Sequence, residues 1–167
     1  MALTPLSQAL PQILATIQSS PDTETLTLAD ASGRYAAETV RSFMAVPPAD
    51  NSAMDGYAVR AQDVPGDLLV SQRIPAGQAP GSLAPGTAAR IFTGAEIPGG
   101  ADAVILQEDA EPLSESVRLP AAREGQHIRR RGSDIQAGDQ LIATGRCLQP
   151  QDIGLLASAG IDAIEVY

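Results

Sequence analysis

The sequence has 167 residues, 44% of them apolar, and a formal net charge of −9, which suits one ordinary domain or two small ones that share a core. The acidic balance argues against nucleic acid and an anionic membrane surface as partners, because both attract clustered positive charge. The single cysteine excludes an internal disulfide, and the sequence shows neither a membrane-spanning apolar run nor a signal-peptide pattern. We therefore expect a cytoplasmic protein with no nucleic-acid or membrane partner.

The N-terminal part predicts a helix followed by short strands. Apolar residues recur on one helical face and predict a helix over residues 7–18. Alternating leucines and threonines predict a strand over residues 25–28. A short helical turn is predicted over residues 29–35, and a further strand over residues 38–41.

The middle part, residues 46–138, has the pattern of a β-rich subdomain. It opens with a polar segment over residues 50–60, after which Pro-Gly pairs punctuate the chain as turns do. Between these pairs lie short apolar runs of strand length. Strands are predicted over residues 68–74, 88–92, 103–106, 117–119 and 126–129.

The C-terminal part returns to alternating strands and helix. A strand is predicted over residues 140–142. Pro150 and Gly160 then bracket an apolar stripe in the start-and-stop order typical of a helix, which is predicted over residues 151–159. Residues 163–167 predict a closing strand.

Together these elements predict an α+β fold that is mostly β. Residues 1–45 and 139–167 form a small α/β base, and residues 46–138 form a β-rich insertion on it. The aromatic content of 3% indicates that the core is built from Ala, Val, Ile and Leu. Both predicted helices carry apolar stripes, which favours self-association of the chain into a dimer.

The densest group of reactive side chains is the segment Asp50-Asn51-Ser52-Ala53-Met54-Asp55-Gly56-Tyr57-Ala58. It places two carboxylates, an amide and a hydroxyl beside a glycine. Such a loop offers a general base or a metal ligand together with backbone N–H groups. The alternative is an Asx turn, in which Asp50 and Asn51 bond their own backbone and only shape the connection.

Two further segments are candidates for anion binding. Thr93 and Gly94 end a predicted strand and place a hydroxyl and an N–H at its tip, which suits an oxyanion; the alternative is a plain glycine turn. Arg129, Arg130 and Arg131 carry guanidinium groups, whose fork matches a phosphate. For these arginines, the alternative is a solvated or salt-bridged charge run.

These segments resemble the N-terminal region of the molybdopterin molybdenumtransferases, the family that includes bacterial MoeA and the E domain of gephyrin. The resemblance covers almost the whole chain. Phe92 departs from the family pattern, where a smaller apolar residue is expected. Besides the segment that holds Asp55, the matching segments are Phe92-Thr93-Gly94-Ala95 with Pro98, Ala101-Asp102-Ala103-Val104-Ile105, Ile128-Arg129-Arg130-Arg131-Gly132-Ser133-Asp134-Ile135 and Leu156-Ala157-Ser158-Ala159-Gly160-Ile161.

The resemblance implies a dimerisation domain and a β-rich domain in this chain. The pterin-binding α/β domain and the C-terminal β domain of the family are expected to be absent from it. The implied reaction transfers molybdenum from molybdate to adenylylated molybdopterin and releases AMP, with Mg²⁺ as cofactor. The implied assembly is a homodimer whose cleft lies between subunits, with a molybdopterin adenylyltransferase domain or protein as partner.

Three residues match catalytic positions of the family. The resemblance assigns Asp55 to orient a water or a cation at the pyrophosphate, Thr93 to donate to an oxyanion, and Asp134 to order the arginine loop. No metal ligand is assigned. The predicted substrate-binding residues are Asn51, Ser52, Gly94 and Arg130.

Two other functions compete with this one. The first is a non-catalytic dimerisation or scaffold module that only shapes the active-site cleft of a partner. The second is a small metal-dependent phosphohydrolase, which would need more clustered carboxylates or a histidine beside them. We expect the chain by itself to be inactive in molybdenum insertion, because it lacks a pterin-binding domain.

Overall fold

The computed structural model describes residues 4–17 and 22–167. Short strands dominate these residues, and this confirms the mostly β fold class. The two helices are α1 (Leu6–Leu14) and α2 (Pro150–Ser158). The strands are β1 (Glu24–Thr27), β2 (Val40–Arg41), β3 (Asn51–Ser52), β4 (Gly56–Val59), β5 (Gly66–Ile74), β6 (Thr87–Ile91), β7 (Ala103–Leu106), β8 (Glu111–Pro112), β9 (Ser116–Leu119), β10 (Ile128–Arg129), β11 (Gln140–Ile142) and β12 (Ala163–Val166).

The first compact unit combines the two ends of the chain, Met1–Val40 and Gln140–Tyr167. Strands β1 and β12 pair antiparallel, with Leu26 opposite Ile164. A second short pair, β2 with β11, lies where the chain leaves and rejoins this unit. The core of this first unit is aliphatic. The residues buried together in it are Leu28, Ala31, Ala36, Ile142, Leu148, Leu156, Ile164 and Val166.

The helices of this unit differ from their predicted bounds in small ways. Helix α2 begins at Pro150, where the missing N–H of proline costs least, and its buried Leu156 faces the core. Helix α1 begins one residue before the prediction and ends at Leu14, while the predicted end at residue 18 lies outside the described residues. The helical turn predicted over residues 29–35 is wrong, since the chain makes two turns there instead. Neither helix of the described residues has the length and hydropathy that a membrane span needs.

The second unit, Arg41–Asp139, is built on one six-stranded sheet. The strand order is β7-β4-β6-β5-β9-β8, and every pair is antiparallel except β5 with β6. Ile105 of β7 and Leu119 of β9 belong to the same buried cluster although three strands separate them in the sheet. The sheet is therefore curled, and one of its faces lines the inside of the curl.

Strand β4 is the main element that the sequence reasoning missed. It lies within the segment predicted to be polar, yet all four of its residues are buried between β6 and β7. Gly56 opens this strand because a Cβ at that position would lie 1.9 Å from the carbonyl oxygen of Ile105. The close approach of β4 and β7 at this point thus requires a glycine. Asp55, the residue before Gly56, is thereby held directly before the start of β4, a strand that is paired on both sides.

Candidate functional site

The predicted site loop, residues 50–55, is held between two other segments of the β-rich unit. The N–H of Ser52 donates to the carbonyl of Ala95 at 2.8 Å, and the N–H of Gly94 donates to the carbonyl of Ser52 at 2.9 Å. On the other side, Asn51 lies opposite Arg129 where β3 pairs with β10. Three of the segments that carried the family resemblance, those of Asp55, Thr93 and Arg129, therefore meet at one place in the β-rich unit.

Ser52 stabilises the loop from inside. Its side chain is buried, and its hydroxyl donates to the carbonyl of Met54 at 2.5 Å. The N–H of Ala53 donates to the carbonyl of His127 at 2.9 Å, which adds a third tie to the loop. Because its hydroxyl is buried and engaged, Ser52 is placed to shape the loop, whereas the sequence reasoning assigned it to substrate binding.

Asp55 and Thr93 form the closest side-chain pair among the predicted site residues. The N–H and the hydroxyl of Thr93 both donate to Oδ1 of Asp55, each at 2.7 Å. These two hydrogen bonds, the hydroxyl's first, lower the pKa of Asp55 below its ordinary value of 3.8, and the nearby Arg90 guanidinium adds a smaller effect in the same direction. Asp55 is therefore a carboxylate at neutral pH.

The geometry of this pair limits what each residue does. No protein donor in the described residues reaches Oδ2 of Asp55, so that oxygen is open to a ligand. A carboxylate whose pKa is lowered is a weak base, and it is better suited to orienting a cation or a water molecule than to abstracting a proton. Both donors of Thr93 point at Asp55, so donation from Thr93 to an oxyanion requires this pair to open first.

Asp50 ties the site loop to the arginine segment. Its Oδ1 accepts from the N–H of Arg131 at 2.7 Å, and its Oδ2 accepts from Nη1 of Arg130 at 2.6 Å. The backbone hydrogen bond from Arg131 is the largest cause of the lowered pKa of Asp50. The hydrogen bond from the Arg130 side chain lowers this pKa further. The sequence reasoning named Asp50 within the motif but assigned it no role in the site.

The three arginines therefore divide between two carboxylates. Arg129 forms an ion pair with Asp134, whose second oxygen accepts from the hydroxyl of Ser133 at 3.2 Å. Arg130 pairs with Asp50, and Arg131 contributes its backbone N–H to the same carboxylate. The salt-bridged charge run is the interpretation that matches this geometry for Arg129 and Arg130. Asp134 lies within the arginine segment that it was predicted to order.

The predicted site residues thus fall into two clusters on one loop system. One cluster contains Asp55 and Thr93, and the other contains Asp134 with Arg129; the two carboxylates share no hydrogen-bond donor. Gly94 contributes a backbone N–H to the loop and has a left-handed φ of 81°. No group of three His, Cys, Asp or Glu side chains that could hold a metal ion occurs among residues 4–17 and 22–167.

Arg90 is a residue of this region that the sequence reasoning missed. Its Nη1 donates to the carbonyls of Gly56 at 2.8 Å and Ile91 at 2.9 Å, and its Nη2 donates to Oε1 of Gln107 at 2.5 Å. It therefore ties the residue after Asp55 to the strand that leads into Thr93. The signal was a single charged residue in strand β6, whose other residues are uncharged.

Comparison with known proteins places this geometry in a family. The family model described as the MoeA N-terminal region, domains I and II, matches residues 4–160. The chain belongs to this family. It is 41% identical over 160 residues to the molybdopterin molybdenumtransferase of Nostoc sp., with 90% of this chain and 37% of the relative covered. It is 40% identical over 168 residues to the enzyme of that name from Haemophilus influenzae, with 97% of this chain and 41% of the relative covered.

A solved structure agrees with the family membership. The chain superimposes on the molybdopterin biosynthesis MoeA protein from Pyrococcus horikoshii with a TM-score of 0.91 at 36% sequence identity, covering 99% of this chain and 44% of that one. The family resemblance found in the motifs is thereby confirmed. The chain spans about two fifths of the length of the relatives that it matches.

Proposed function

We propose that this chain supplies one side of the active site of a molybdopterin molybdenumtransferase in molybdenum cofactor biosynthesis. The observation that carries the proposal is the Asp55 carboxylate, which is held ionised by Thr93 and keeps Oδ2 open, in a segment shared with the family. In the proposed reaction, molybdate is the source of the metal and adenylylated molybdopterin is the acceptor. Molybdenum enters the dithiolene and AMP leaves.

Asp55 acts in this proposal as an orienting carboxylate. Its open oxygen faces the charged part of the substrate, where it holds a water or a cation in place, while Thr93 keeps the carboxylate ionised and in a fixed rotamer. The Asp50 and Asp134 pairs hold the arginine segment beside the loop. In this proposal the rest of the cleft, including the pterin site, comes from outside the region that the family model matches.

The proposed Mg²⁺ is not held by this chain alone. Mg²⁺ takes six oxygen ligands and typically uses one or two carboxylates with water and substrate phosphates. The described residues offer one open oxygen at Asp55 and no group of three acidic or histidine ligands. These donors do not make a magnesium site by themselves.

We also propose that the chain works as a homodimer and receives its substrate from a molybdopterin adenylyltransferase domain or protein. The support for the homodimer is the apolar stripe of helix α1. Leu6, Leu10, Ile13 and Leu14 are all exposed, and a surface helix that leaves its apolar stripe in water is typical of a subunit interface.

The first experiment replaces the matching region of the Nostoc relative with this chain and measures cofactor formation from molybdate and adenylylated molybdopterin. The parent chimera is expected to be active. Asp55→Asn keeps the size of the side chain and an acceptor for Thr93 but removes the charge, so cofactor formation should fall by about 10²-fold or more. A folded chimera without activity would contradict the proposal, as would an Asp55→Asn chimera with full activity.

A second experiment tests whether the cleft crosses the dimer. The Asp55→Asn chimera is mixed with a chimera that is inactive only through its pterin-binding domain. If the cleft is built from both subunits, one cleft of the mixed dimer carries both lesions and the other carries none. The mixed dimer should then recover about half of the activity of one parent dimer. Demonstrated subunit exchange with no recovery would place the site within one subunit.

A scaffold function is the second candidate for the chain by itself. The observation that favours it is that most polar groups of the site loop are already satisfied within the loop system, including both donors of Thr93 and both oxygens of Asp50. The isolated chain is expected to form no molybdenum cofactor. Cofactor formation by the isolated chain near the rate of the chimera would contradict this expectation.

A further inference from the structure

A second concave site lies on the β-rich unit, beside the curled sheet. It is a cleft of about 660 Å³, within the range of about 300–1,000 Å³ that is usual for small-molecule pockets. None of Asp50, Asp55, Thr93 and Asp134 lines it. The residues that give it chemical character are Tyr57, Leu69, Arg73, Arg90, Leu113 and Glu115.

Three neighbouring strands bring a row of side chains to one wall of the cleft. Tyr57 of β4 lies opposite Arg90 of β6, and Arg90 lies opposite Arg73 of β5. Residues that face each other in a sheet project from the same face, so these three side chains stand side by side. Tyr57 is only 8% exposed and belongs to the buried cluster inside the curl. The cleft therefore borders on this hydrophobic core at Tyr57.

The two arginines of the row have different tasks. The donors of Arg90 are directed at carbonyl oxygens and at Gln107, so it adds positive charge to the wall but has a fixed orientation. Arg73 stacks on Phe92, with its guanidinium 4.8 Å from the ring centre. Among residues 4–17 and 22–167 no carboxylate oxygen lies within 4.0 Å of Arg73. Its forked donors are therefore available to an anion in the cleft.

Two exposed leucines also line the cleft. Leu69 is 52% exposed and Leu113, at the turn between β8 and β9, is 38% exposed. Both leucines leave apolar surface in contact with water at a concave site, where a ligand would cover it. Glu115 also lines the cleft, but its side chain is exposed to solvent, which screens its charge.

We propose that this cleft binds an organic oxyanion, namely a phosphate or carboxylate group carried on an apolar body. Arg73 donates to the oxyanion from its fork, Arg90 contributes to the positive field, and the apolar body lies against Leu69 and Leu113. The cleft shares Arg90 with the surroundings of Asp55, but neither Asp55 nor Thr93 lines it, so the proposal does not depend on the proposed transferase function.

The test is a nuclear magnetic resonance titration of the 167-residue chain with phenyl phosphate, benzoate and inorganic phosphate. Saturable shifts are expected at the Arg73 and Arg90 side-chain N–H signals. Phenyl phosphate should bind more tightly than inorganic phosphate, because only the former covers the leucines. Phenyl phosphate and benzoate should compete for the same cleft, and the tighter of the two identifies the preferred anionic group.

Matched variants decide which residues hold the ligand. Arg73→Gln should weaken phenyl phosphate binding about tenfold or more, as the loss of a charge-assisted hydrogen bond does. Arg123→Gln removes the same charge from an exposed arginine that does not line this cleft, and it should leave the affinity unchanged. Leu113→Ser should weaken phenyl phosphate but not inorganic phosphate, and Glu115→Gln should tighten both.

Three results would overturn the proposal. The first is the absence of saturable shifts at the Arg73 signal with either organic anion. The second is equal weakening by Arg73→Gln and Arg123→Gln, which would mean that only net charge matters. The third is weaker binding in Glu115→Gln, which would mean that Glu115 helps to hold the ligand and that positive charge does not decide the binding. The amide spectrum of each variant verifies that the fold is unchanged.

Discussion

Two aspartates, one in each compact unit, have a lowered pKa for different reasons and to different ends. Asp152, near the start of helix α2, is closed: Arg146 donates to both of its oxygens at 2.9 and 3.0 Å, and the N–H of Gln149 donates to Oδ2 at 2.9 Å. Its side chain is 7% exposed. Asp55 is open, because its two donated hydrogen bonds fall on one oxygen and leave the other unbonded by the protein.

The comparison teaches that a lowered pKa alone does not mark a functional carboxylate. Both aspartates are ionised at neutral pH. Both oxygens of Asp152, however, are occupied by the ion pair with Arg146 and by the N–H at the start of helix α2. What distinguishes Asp55 is a carboxylate oxygen without a protein partner. This residue lies directly before the start of the central strand β4. Substitutions at and around the two aspartates separate the structural carboxylate from the functional one.

The largest effect on stability is expected from Gly56→Ala, which acts on the strand that positions the open carboxylate. The new Cβ would lie 1.9 Å from the carbonyl oxygen of Ile105, so strands β4 and β7 must move apart. We expect a loss of about 3 kcal/mol or more in the free energy of unfolding. Urea denaturation of the chain measures it.

Gly154→Ala is the matched control for this substitution. Gly154 lies in the interior of α2, and a Cβ there meets nothing within 4 Å. Alanine is the better helix former, so this variant should gain about 0.5–1 kcal/mol. Equal destabilisation by the two substitutions would show that the close approach at Gly56 is not what makes the glycine necessary.

The next effect is expected from Asp152→Asn, which breaks the closed carboxylate. The substitution removes the charge that Arg146 pairs with and turns one acceptor into a donor, so unfolding should become easier by about 2 kcal/mol at pH 7. Urea denaturation at several pH values measures this loss. Unchanged stability at pH 7 would contradict the structural role.

The same variant has a signed pH dependence. The folded pKa of Asp152 lies below its ordinary value of 3.8, so the unfolded chain binds this proton at a higher pH than the folded chain does. The stabilisation is therefore complete above the unfolded pKa and is lost as the pH falls through the folded one. The difference between wild type and Asp152→Asn should shrink as the pH falls below about 4. A difference that grows in acid would contradict the assignment.

A smaller effect is expected from Thr93→Val, which sharpens the description of the open carboxylate. The hydroxyl of Thr93 is the largest cause of the lowered pKa of Asp55, while the backbone N–H survives the substitution. The pKa of Asp55 should rise toward, but not reach, its ordinary value. A ¹³C carboxyl titration measures it, with Thr93→Ser, which keeps the hydroxyl, as the control. An unmoved pKa in Thr93→Val would show that the hydroxyl does not hold the carboxylate.

Local patterns were sufficient to predict much of the fold. Strands β7 and β11 have the predicted bounds, because an apolar run between turn residues is a local signal. Helix α2 differs from its prediction by one residue at each end, because Pro150 and Gly160 mark its start and stop locally. Strand β4 escaped because it is buried on both faces and therefore lacks the polar alternation that marks a half-buried strand. Its polar neighbours made the whole segment resemble a loop.

The candidate site was predicted as a set of residues but not as a set of contacts. The motifs named Asp55, Thr93 and Asp134, and the structure pairs the first two and places the third with Arg129. The pairing of Arg130 with Asp50, the two hydrogen bonds from Thr93 to Asp55 and the contacts of Arg90 with Gly56 and Gln107 all join residues well apart in sequence. Such pairings follow from strand register, which a single sequence does not specify.

The most direct test of the central claim compares Asp55→Asn with Asp152→Asn in the same chimera, with activity expressed per folded molecule. The open carboxylate should affect function alone: Asp55→Asn is expected to lose about 10²-fold in cofactor formation while its urea midpoint stays unchanged. The closed carboxylate should affect stability alone, with a lower midpoint and an unchanged rate per folded molecule. Equal loss of rate in the two variants, or a fully active Asp55→Asn chimera, would contradict the account.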